Sequence, residues 1–455
     1  MNIVINSGND TGMLLAQKLI NENHKVTVIE EDDRLIKALQ SDLDAKIIKG
    51  SGIDINILKK ADIKNAGLFI SVSKIDNINL LSCTIARKIC SKDGIIIAKV
   101  ENSNLFFDEK VSYKDYGIDF VIDPKKLKTQ KILALIENPK IIEHINYSKR
   151  QSELIGIKVY PDFKYNCYSL KEIAKADDNF KNIKIIAILR NEKIIIPKGD
   201  EIILEKDKVF MIGKTEEIEL FIKKNLYSNI KIKRIVLAGA NITVKNLANE
   251  LIKLRKTVTI IEQDVNKCKE LSREVYGALV INGYATEEAT LNESKIENSC
   301  FISLTNDNEY NIISAATAKK YKASKAISII ENPTLAPILN GMSEIDAVVT
   351  PHSLIVSEIL RYCRRGDIIS VTNFSELQAE TIGFIIKDKI PILNKPLKNV
   401  VFPADMIIGT IIRGDEVIIP KGEDIIQLHD KVIVFVLPSA IKKVEKFFVK
   451  GFFRR

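Results

Sequence analysis

The sequence predicts an α/β protein with two Rossmann-like, doubly wound parallel-sheet domains, each followed by a small β-rich α/β domain. Three observations carry that prediction. Ser7-Gly8-Asn9 is answered by Gly239-Ala240-Asn241, Glu30 by Glu262, Ser73 by Thr305 and Asn79 by Asn311, always 232 residues on (7 to 239, 79 to 311). Apolar runs of strand length alternate with helical patterns, as in βαβ units around a sheet buried on both faces. Pro197-Lys198-Gly199 and Asp207-Lys208-Val209 return as Pro420-Lys421-Gly422 and Asp430-Lys431-Val432, 223 residues on (197 to 420). A duplication on this scale constrains the fold more than any single motif does.

In chain order, Ile3-Val4-Ile5 is the first strand, followed by a polar turn and a helical pattern from Met13 to Leu19. Val26–Ile29 is the second strand and ends on the acidic run Glu30-Glu31-Asp32; Lys46–Lys49, Leu68–Val72 and Ile95–Val100 follow with helices between them. Right-handed crossovers make a doubly wound sheet the expected result. From about 150 the helices thin out, and Ile185–Leu189, Lys193–Pro197 and Asp207–Ile212 read as strands, with Pro197-Lys198-Gly199 as a turn. After Lys231 both patterns repeat. The expected domains are 1–116, 149–226, 231–343 and 372–455, with connecting helical segments at 117–148 and 344–371.

With 455 residues, 46% of them apolar, the chain can bury several cores. No apolar run approaches the ~20 residues that span a bilayer, and the N-terminal segment has no signal-peptide pattern. A soluble chain with no direct membrane insertion is expected. The six cysteines form no CxxC pair and the four histidines are far apart, which points to a reducing compartment and no metal centre. The net charge of +9 is spread along the chain, without a helix-turn-helix signature or an Arg-rich basic helix, so nucleic acid is not the expected partner.

The chemistry concentrates in the turns after the first strand of each copy. A dinucleotide fold carries GxGxxG there: a tight turn, a close approach to pyrophosphate, and close helix–strand packing. The three positions read Ser7, Asn9 and Gly12 in the first copy and Gly239, Asn241 and Val244 in the second. Asn tolerates positive φ, so the turn is expected to survive at Asn9 and Asn241. Its side chain would occupy pyrophosphate space, although its amide can donate to an oxygen. Asp10 puts an acid beside the first loop or caps its helix; Ala240, Ile242 and Thr243 bring none to the second.

Glu30 and Glu262 end the second strands, where a Rossmann carboxylate accepts hydrogen bonds from ribose hydroxyls and disfavours a 2′-phosphate. Ser73 and Thr305 follow the fourth strands, either as ligand contacts or as helix caps. Lys99, at the fifth strand, is either a phosphate contact or a solvated lysine. An NAD-dependent oxidoreductase would need a proton donor or acceptor near the nicotinamide, and the β-rich modules offer no suitable His. A structural scaffold that no longer binds nucleotide is the other alternative.

These residues give the chain its resemblance to the TrkA family, regulatory proteins of bacterial Trk potassium uptake systems built from two tandem RCK units (regulators of potassium conductance). It rests on the units Ile3–Glu30 and Ile235–Glu262, on Leu304-Thr305-Asn306-Asp307 with Asn311, and on the two Ile-Pro-Lys-Gly…Asp-Lys-Val modules, and spans essentially the whole chain. The resemblance implies a non-enzymatic, cytoplasmic nucleotide sensor. Such a protein lies peripherally on the inner face of the membrane as a ring, expected to be a homotetramer, beneath a membrane-embedded Trk-type transporter, and gates potassium flux. Its nucleotide would be NAD(H) or ATP/ADP. The implied contacts are Ser7, Gly8, Asn9, Asp10, Thr11, Glu30, Ser73, Lys74 and Lys99, and in the second unit Gly239, Ala240, Asn241, Ile242, Thr243, Glu262, Thr305 and Asn306. The aromatic, basic end at 446–455 either ends the last helix and then frays or docks Phe452 and Phe453 on a partner or membrane surface.

Overall fold

The computed structural model describes residues 1–21, 24–101, 112–137, 141–147, 151–191, 193–226, 232–332, 335, 339, 344–363, 368–374, 379–387 and 390–448. Phe452 and Phe453 lie outside them, as do the junctions expected at 148/149 and 227–231. The chain forms two compact units, one of Met1–Lys128 with Thr350–Cys363, the other of Thr129–Val349 with Arg364–Arg455.

In the first unit, β1 (Asn2–Asn6), β2 (Lys25–Glu30), β3 (Lys46–Lys49), β4 (Leu68–Ser71), β5 (Ile95–Lys99) and β6 (Phe120–Ile122) form one parallel sheet in the order β3-β2-β1-β4-β5-β6. That order reverses direction between β1 and β4, the switch point where ligands of such sheets bind. Helices α1 (Asp10–Asn21), α2 (Asp33–Asp42), α3 (Ile55–Lys60) and α4 (Asp76–Ile89) connect the strands. Successive side chains of β1 point to opposite faces. Ile3 and Ile5 pack with Leu15, Leu19 and Leu39, whereas Val4 packs with Ile29, Leu58, Phe69 and Ile96.

The first of these layers is completed from the far half of the chain. Helix Pro351–Cys363 contributes Ile355, Val356, Ile359 and Leu360 to the core around Ile3 and Leu15, and the Tyr362 ring stacks on Phe120 at 3.9 Å. Along this helix 355, 356, 359 and 360 share one face by the 3.6-residue period.

Helix α5 (Pro124–Glu137) starts in the first unit, and from Thr129 on the second unit runs through β7 (Ile141–Tyr147), β8 (Ser152–Lys158), α6 (Leu170–Ala176), β9 (Ile183–Arg190), β10 (Lys193–Ile195), β11 (Lys208–Lys214) and α7 (Thr215–Phe221). These strands make an antiparallel sheet in the order β10-β9-β11-β8-β7. The parallel pattern then returns in β12 (Arg234–Ala238), α8 (Ile242–Lys253), β13 (Thr257–Glu262), α9 (Val265–Glu274), β14 (Ala278–Asn282), α10 (Glu288–Glu293), β15 (Cys300–Ser303), α11 (Asn308–Lys320), β16 (Lys325–Ile329) and β17 (Ala347–Val349), ordered β14-β13-β12-β15-β16-β17. A second antiparallel sheet, β18-β19-β22-β20-β21, uses β18 (Ile368–Phe374), β19 (Ala379–Ile385), β20 (Met406–Arg413), β21 (Glu416–Ile418) and β22 (Lys431–Val436). The fold is thus the expected alternation of Rossmann-like and β-rich layers. The antiparallel sheets begin at Ile141 and Ile368, inside the segments read from sequence as helical connections.

The two antiparallel sheets share a core in which Leu154, Ile186, Phe210 and Ile212 meet Ala379, Ile433 and Phe435. The Tyr147 hydroxyl hydrogen-bonds Thr381 across it. Buried Lys325 ties β16 to the end of α5, donating 2.6 Å hydrogen bonds to the carbonyls of Leu135 and Ile141. Cationic caps of this kind satisfy carbonyls that a helix end leaves unpaired.

Candidate functional site

Each parallel sheet presents the same group at its switch point: the loop after its first strand, the acid ending its second, and the end of its fourth. The Asn of each loop is the fastener. Asn241 donates from Nδ2 to the Leu304 carbonyl (2.5 Å), while its Oδ1 accepts the amides of Thr243 (3.0 Å) and Val244 (3.1 Å). Asn9 repeats this with the Val72 carbonyl (2.7 Å) and the Gly12 amide (3.1 Å). Both act as helix N-caps, which is why α1 starts at Asp10, ahead of the apolar pattern at Met13.

The expectation of positive φ at the asparagines is corrected here. Asn241 has φ −100°, and the left-handed residues are one position class earlier: Ser7 at 85° and Gly239 at 115°. A capping residue must adopt extended backbone to turn its side chain onto the following amides, so the tight turn falls on the first position of the motif. The Asn amide, which could have met a phosphate oxygen, is instead bonded to the carbonyl of the residue just past the fourth strand. Gly12 keeps its packing role, since a Cβ there would lie 2.0 Å from the Ser7 carbonyl oxygen.

The two acids differ. Glu30 Oε2 accepts the Gly8 amide (2.5 Å) and the Ser7 hydroxyl (3.4 Å), and Oε1 accepts the amides of Glu31 (2.8 Å) and Asp32 (3.0 Å). Glu262 Oε1 accepts the Asp264 amide at 2.9 Å. Both carboxylates are buried, each 8% exposed. The first loop therefore closes onto its own acid. A cavity of about 170 Å³ adjoins the second loop, lined by Ala240, Asn241, Ile242, Lys245 and Lys267 among others. Lys245 and Lys267 line it together with Glu270 and Glu274, Lys245 pairing with Glu274 at 2.6 Å, whereas the first loop has exposed Asp10.

Ser73 and Thr305 are held by a repeated bracket. Asn79 accepts the Ser73 amide (2.8 Å) and donates to the carbonyls of Ser73 (2.9 Å) and Lys99 (2.8 Å). Asn311 accepts the Thr305 amide (3.0 Å) and hydroxyl (2.7 Å) and donates to the carbonyls of Thr305 and Ile329 (both 2.9 Å). A buried Asn thus locks the fourth strand end to the fifth in each copy. Lys99 is neither solvated nor free: it is 6% exposed and pairs with Glu101 at 3.3 Å. Lys74 and Asn306 are exposed on the same loops. Buried Thr11 and Thr243 open the helices, Ile242 is 47% exposed, and Gly8 and Ala240 sit in the turns.

Two features escaped the sequence reading. The loops after the third strands also close this edge, as the Gly50 amide donates to the Glu30 carbonyl (2.9 Å) and the Gly283 amide to that of Glu262 (3.1 Å). Their 233-residue spacing (50 to 283) was the available signal. The second is His352, whose Nδ1 lies 2.6 Å from Thr11 Oγ1. With a separation of 341 positions in sequence, local pattern gives no sign of it.

Among the described residues no group of three or more His, Cys, Asp or Glu is arranged to hold a metal. No helix among them is long and apolar enough to cross a membrane. Burial pushes the Cys300 thiol up to about 12 and the Cys83 thiol higher still, so neither forms a ready thiolate.

Comparison with known proteins gives a consistent picture. The chain is 28% identical over 459 residues to the Trk system potassium uptake protein TrkA of Halomonas elongata, covering 99% of each. It is 28% identical over 456 residues to TrkA homolog 1 of Methanosarcina mazei, covering 98% of this chain and 100% of that protein. Among solved structures, the GsuK RCK domain superposes with a TM-score of 0.61 at 17% identity, covering 98% of this chain and 94% of that one. The GsuK channel bound to NAD superposes with a TM-score of 0.60 at 16% identity, covering 98% and 78%. The fold is shared at that distance. The TrkA-N domain model matches residues 3–124 and 235–351, and the TrkA-C domain model matches 168–225 and 382–449. With two TrkA-N domains in tandem, each followed by a TrkA-C domain, the chain belongs to the TrkA-N family.

Proposed function

We propose that this protein is a nucleotide-sensing regulatory subunit of a Trk-type potassium uptake system, with the second parallel-sheet domain as its principal nucleotide site. The observation that carries the site assignment is the contrast between the two acids. Glu262 holds the Asp264 amide on one carboxylate oxygen, whereas Glu30 receives hydrogen bonds on both oxygens from its own loops. In this reading Glu262 accepts the ribose hydroxyls of NAD(H) or an adenine nucleotide, and Lys245 and Lys267 stand on the phosphate side. Asn241 must release the Thr243 and Val244 amides before they can receive a phosphate oxygen. At the first site Glu30 must likewise release Gly8. The ligand supplies negative charge and a ribose diol; the chain supplies a loop with two hydrogen-bonding states.

That exchange of partners is the switch. Binding biases one arrangement of the loops and helices, and a population shift reaches the antiparallel modules. The protein would act non-enzymatically as a ring, a homotetramer, on the cytoplasmic face of its membrane transporter. Its overall relationship to TrkA proteins, across nearly their whole length, supports the partner assignment.

The test is calorimetric titration of NADH, ATP and ADP against wild type, Glu30→Ala and Glu262→Ala. Glu262→Ala should remove most of the heat and Glu30→Ala a minor share. No binding to wild type would leave a structural scaffold. Potassium uptake in cells with the chain deleted and restored tests the partnership; unaltered uptake would refute it.

A further inference from the structure

The geometry points to His352 as a phosphate-side positioning residue of the first nucleotide site, supplied by a helix 340 residues further along the chain. The assignment deepens the functional reading above and rests on it. Helix Pro351–Cys363 belongs to the first unit and packs its apolar face into the core beneath α1. Its second residue thereby comes against the first turn of α1, the helix whose N-terminus faces the phosphate side of a Rossmann site. His352 Nδ1 is 2.6 Å from Thr11 Oγ1, and Nε2 is 3.9 Å from Asp10 Oδ2. The imidazole is mostly covered, at 19% side-chain exposure, while the Asp10 carboxylate is 64% exposed.

Asp10 is the first loop's peculiarity. An acid at the first residue of a helix is favourable for the helix dipole but repels an incoming phosphate, and the second copy has Ile242 in its place. The imidazole lies between Asp10 and Thr11, hydrogen-bonds the Thr11 hydroxyl, and in its protonated form offsets that repulsion. The duplication offers an internal comparison. Pro351-His352 opens this helix as Pro124-Lys125 opens α5, so a basic group directly follows the helix-opening proline in both copies. His352 therefore sets how the first site responds to ligand charge, and it does so from the segment that leads into the second antiparallel module.

The experiment uses the full chain carrying Glu262→Ala, so that binding heat reports the first site, with ADP as the phosphate-bearing probe and adenosine as the probe without phosphate. Adding His352→Ala should weaken ADP about tenfold, equivalent to ~1.4 kcal/mol, and leave adenosine unchanged. Asp10→Asn combined with His352→Ala should recover most of that loss, since the charge to be offset is gone. Equal weakening of ADP and adenosine would show mere support of the loop and overturn the assignment. So would unchanged ADP affinity, or a loss that Asp10→Asn does not repair. If the Glu262→Ala protein with His352 intact binds no ADP, the first site itself is refuted along with this role for His352. ADP binding that His352→Ala leaves undiminished refutes the role alone.

Discussion

The Arg190 guanidinium grips the Asp207 carboxylate through two N–H···O bonds, Nε to Oδ1 at 2.8 Å and Nη2 to Oδ2 at 2.7 Å. Asp207 also accepts the Leu204 amide (2.9 Å), and Arg190 Nη2 donates to the Ile202 carbonyl (2.6 Å). Arg413 and Asp430 repeat each bond, with Gln427 and Ile425 in the places of Leu204 and Ile202. The recurrent Asp-Lys-Val thus marks a bidentate pair that pins the turn before β11 and β22. Both carboxylates are about 1% exposed.

Removing Arg190 strands the buried Asp207 charge, whereas Arg190 also pairs with Glu201 at 2.9 Å. Arg190→Met should cost about 3–5 kcal/mol, as for other broken buried pairs. Arg190→Met with Asp207→Asn should cost clearly less than the sum of the singles. Urea unfolding of the three variants measures this, and additive losses would show that the pair is not coupled.

Lys325 predicts a pH dependence. Burial pushes its amine down to about 8 from an ordinary 10.5. Between those values the unfolded chain holds a proton that the folded chain has shed, so stability rises with pH through that window; below about pH 8 the burial penalty is fully present. The rise should be on the order of 2–3 kcal/mol. Subtracting the curve of Lys325→Met from that of wild type, measured by denaturant unfolding between pH 7 and 10.5, isolates it. Parallel curves would contradict this account.

Asn241→Gly gives up an N-cap, a cost of only a few tenths of a kcal/mol, and frees the Thr243 and Val244 amides. Nucleotide affinity at the second site should tighten severalfold, whereas wild type must break those bonds first. Calorimetry with NADH and ADP decides it: weaker binding by the Gly variant would mean that Asn241 contacts the ligand directly.

Gly12→Ala should destabilise the first unit by about 1–3 kcal/mol or more, as overpacking does, because the added methyl meets backbone at Ser7. A thermal melt of the variant that matches wild type would rule out the close helix–strand approach as the reason for this glycine.

Strand positions, duplication and the two acids were legible in sequence because strands and their spacing are local patterns. The single surviving glycine of each loop was legible too, but its meaning was not. Positive φ sits at Ser7 and Gly239 because Asn9 and Asn241 cap, a choice made by the carbonyls of Val72 and Leu304, 63 residues away. β7 and β18 were hidden because their pairing partners, not their own composition, define them. Arg190, Lys325 and His352 look like surface residues until the fold supplies the carboxylate, carbonyls and hydroxyl that receive them.

Helix Pro351–Cys363 fills the core of a domain encoded by the other end of the chain. A gene cut at its midpoint would yield a first half whose sheet exposes the surface meant for Ile355, Val356, Ile359 and Leu360. The ancestral duplication is consequently no longer reversible by simple fission. Recombination that exchanges only one half must bring a compatible linking helix with it.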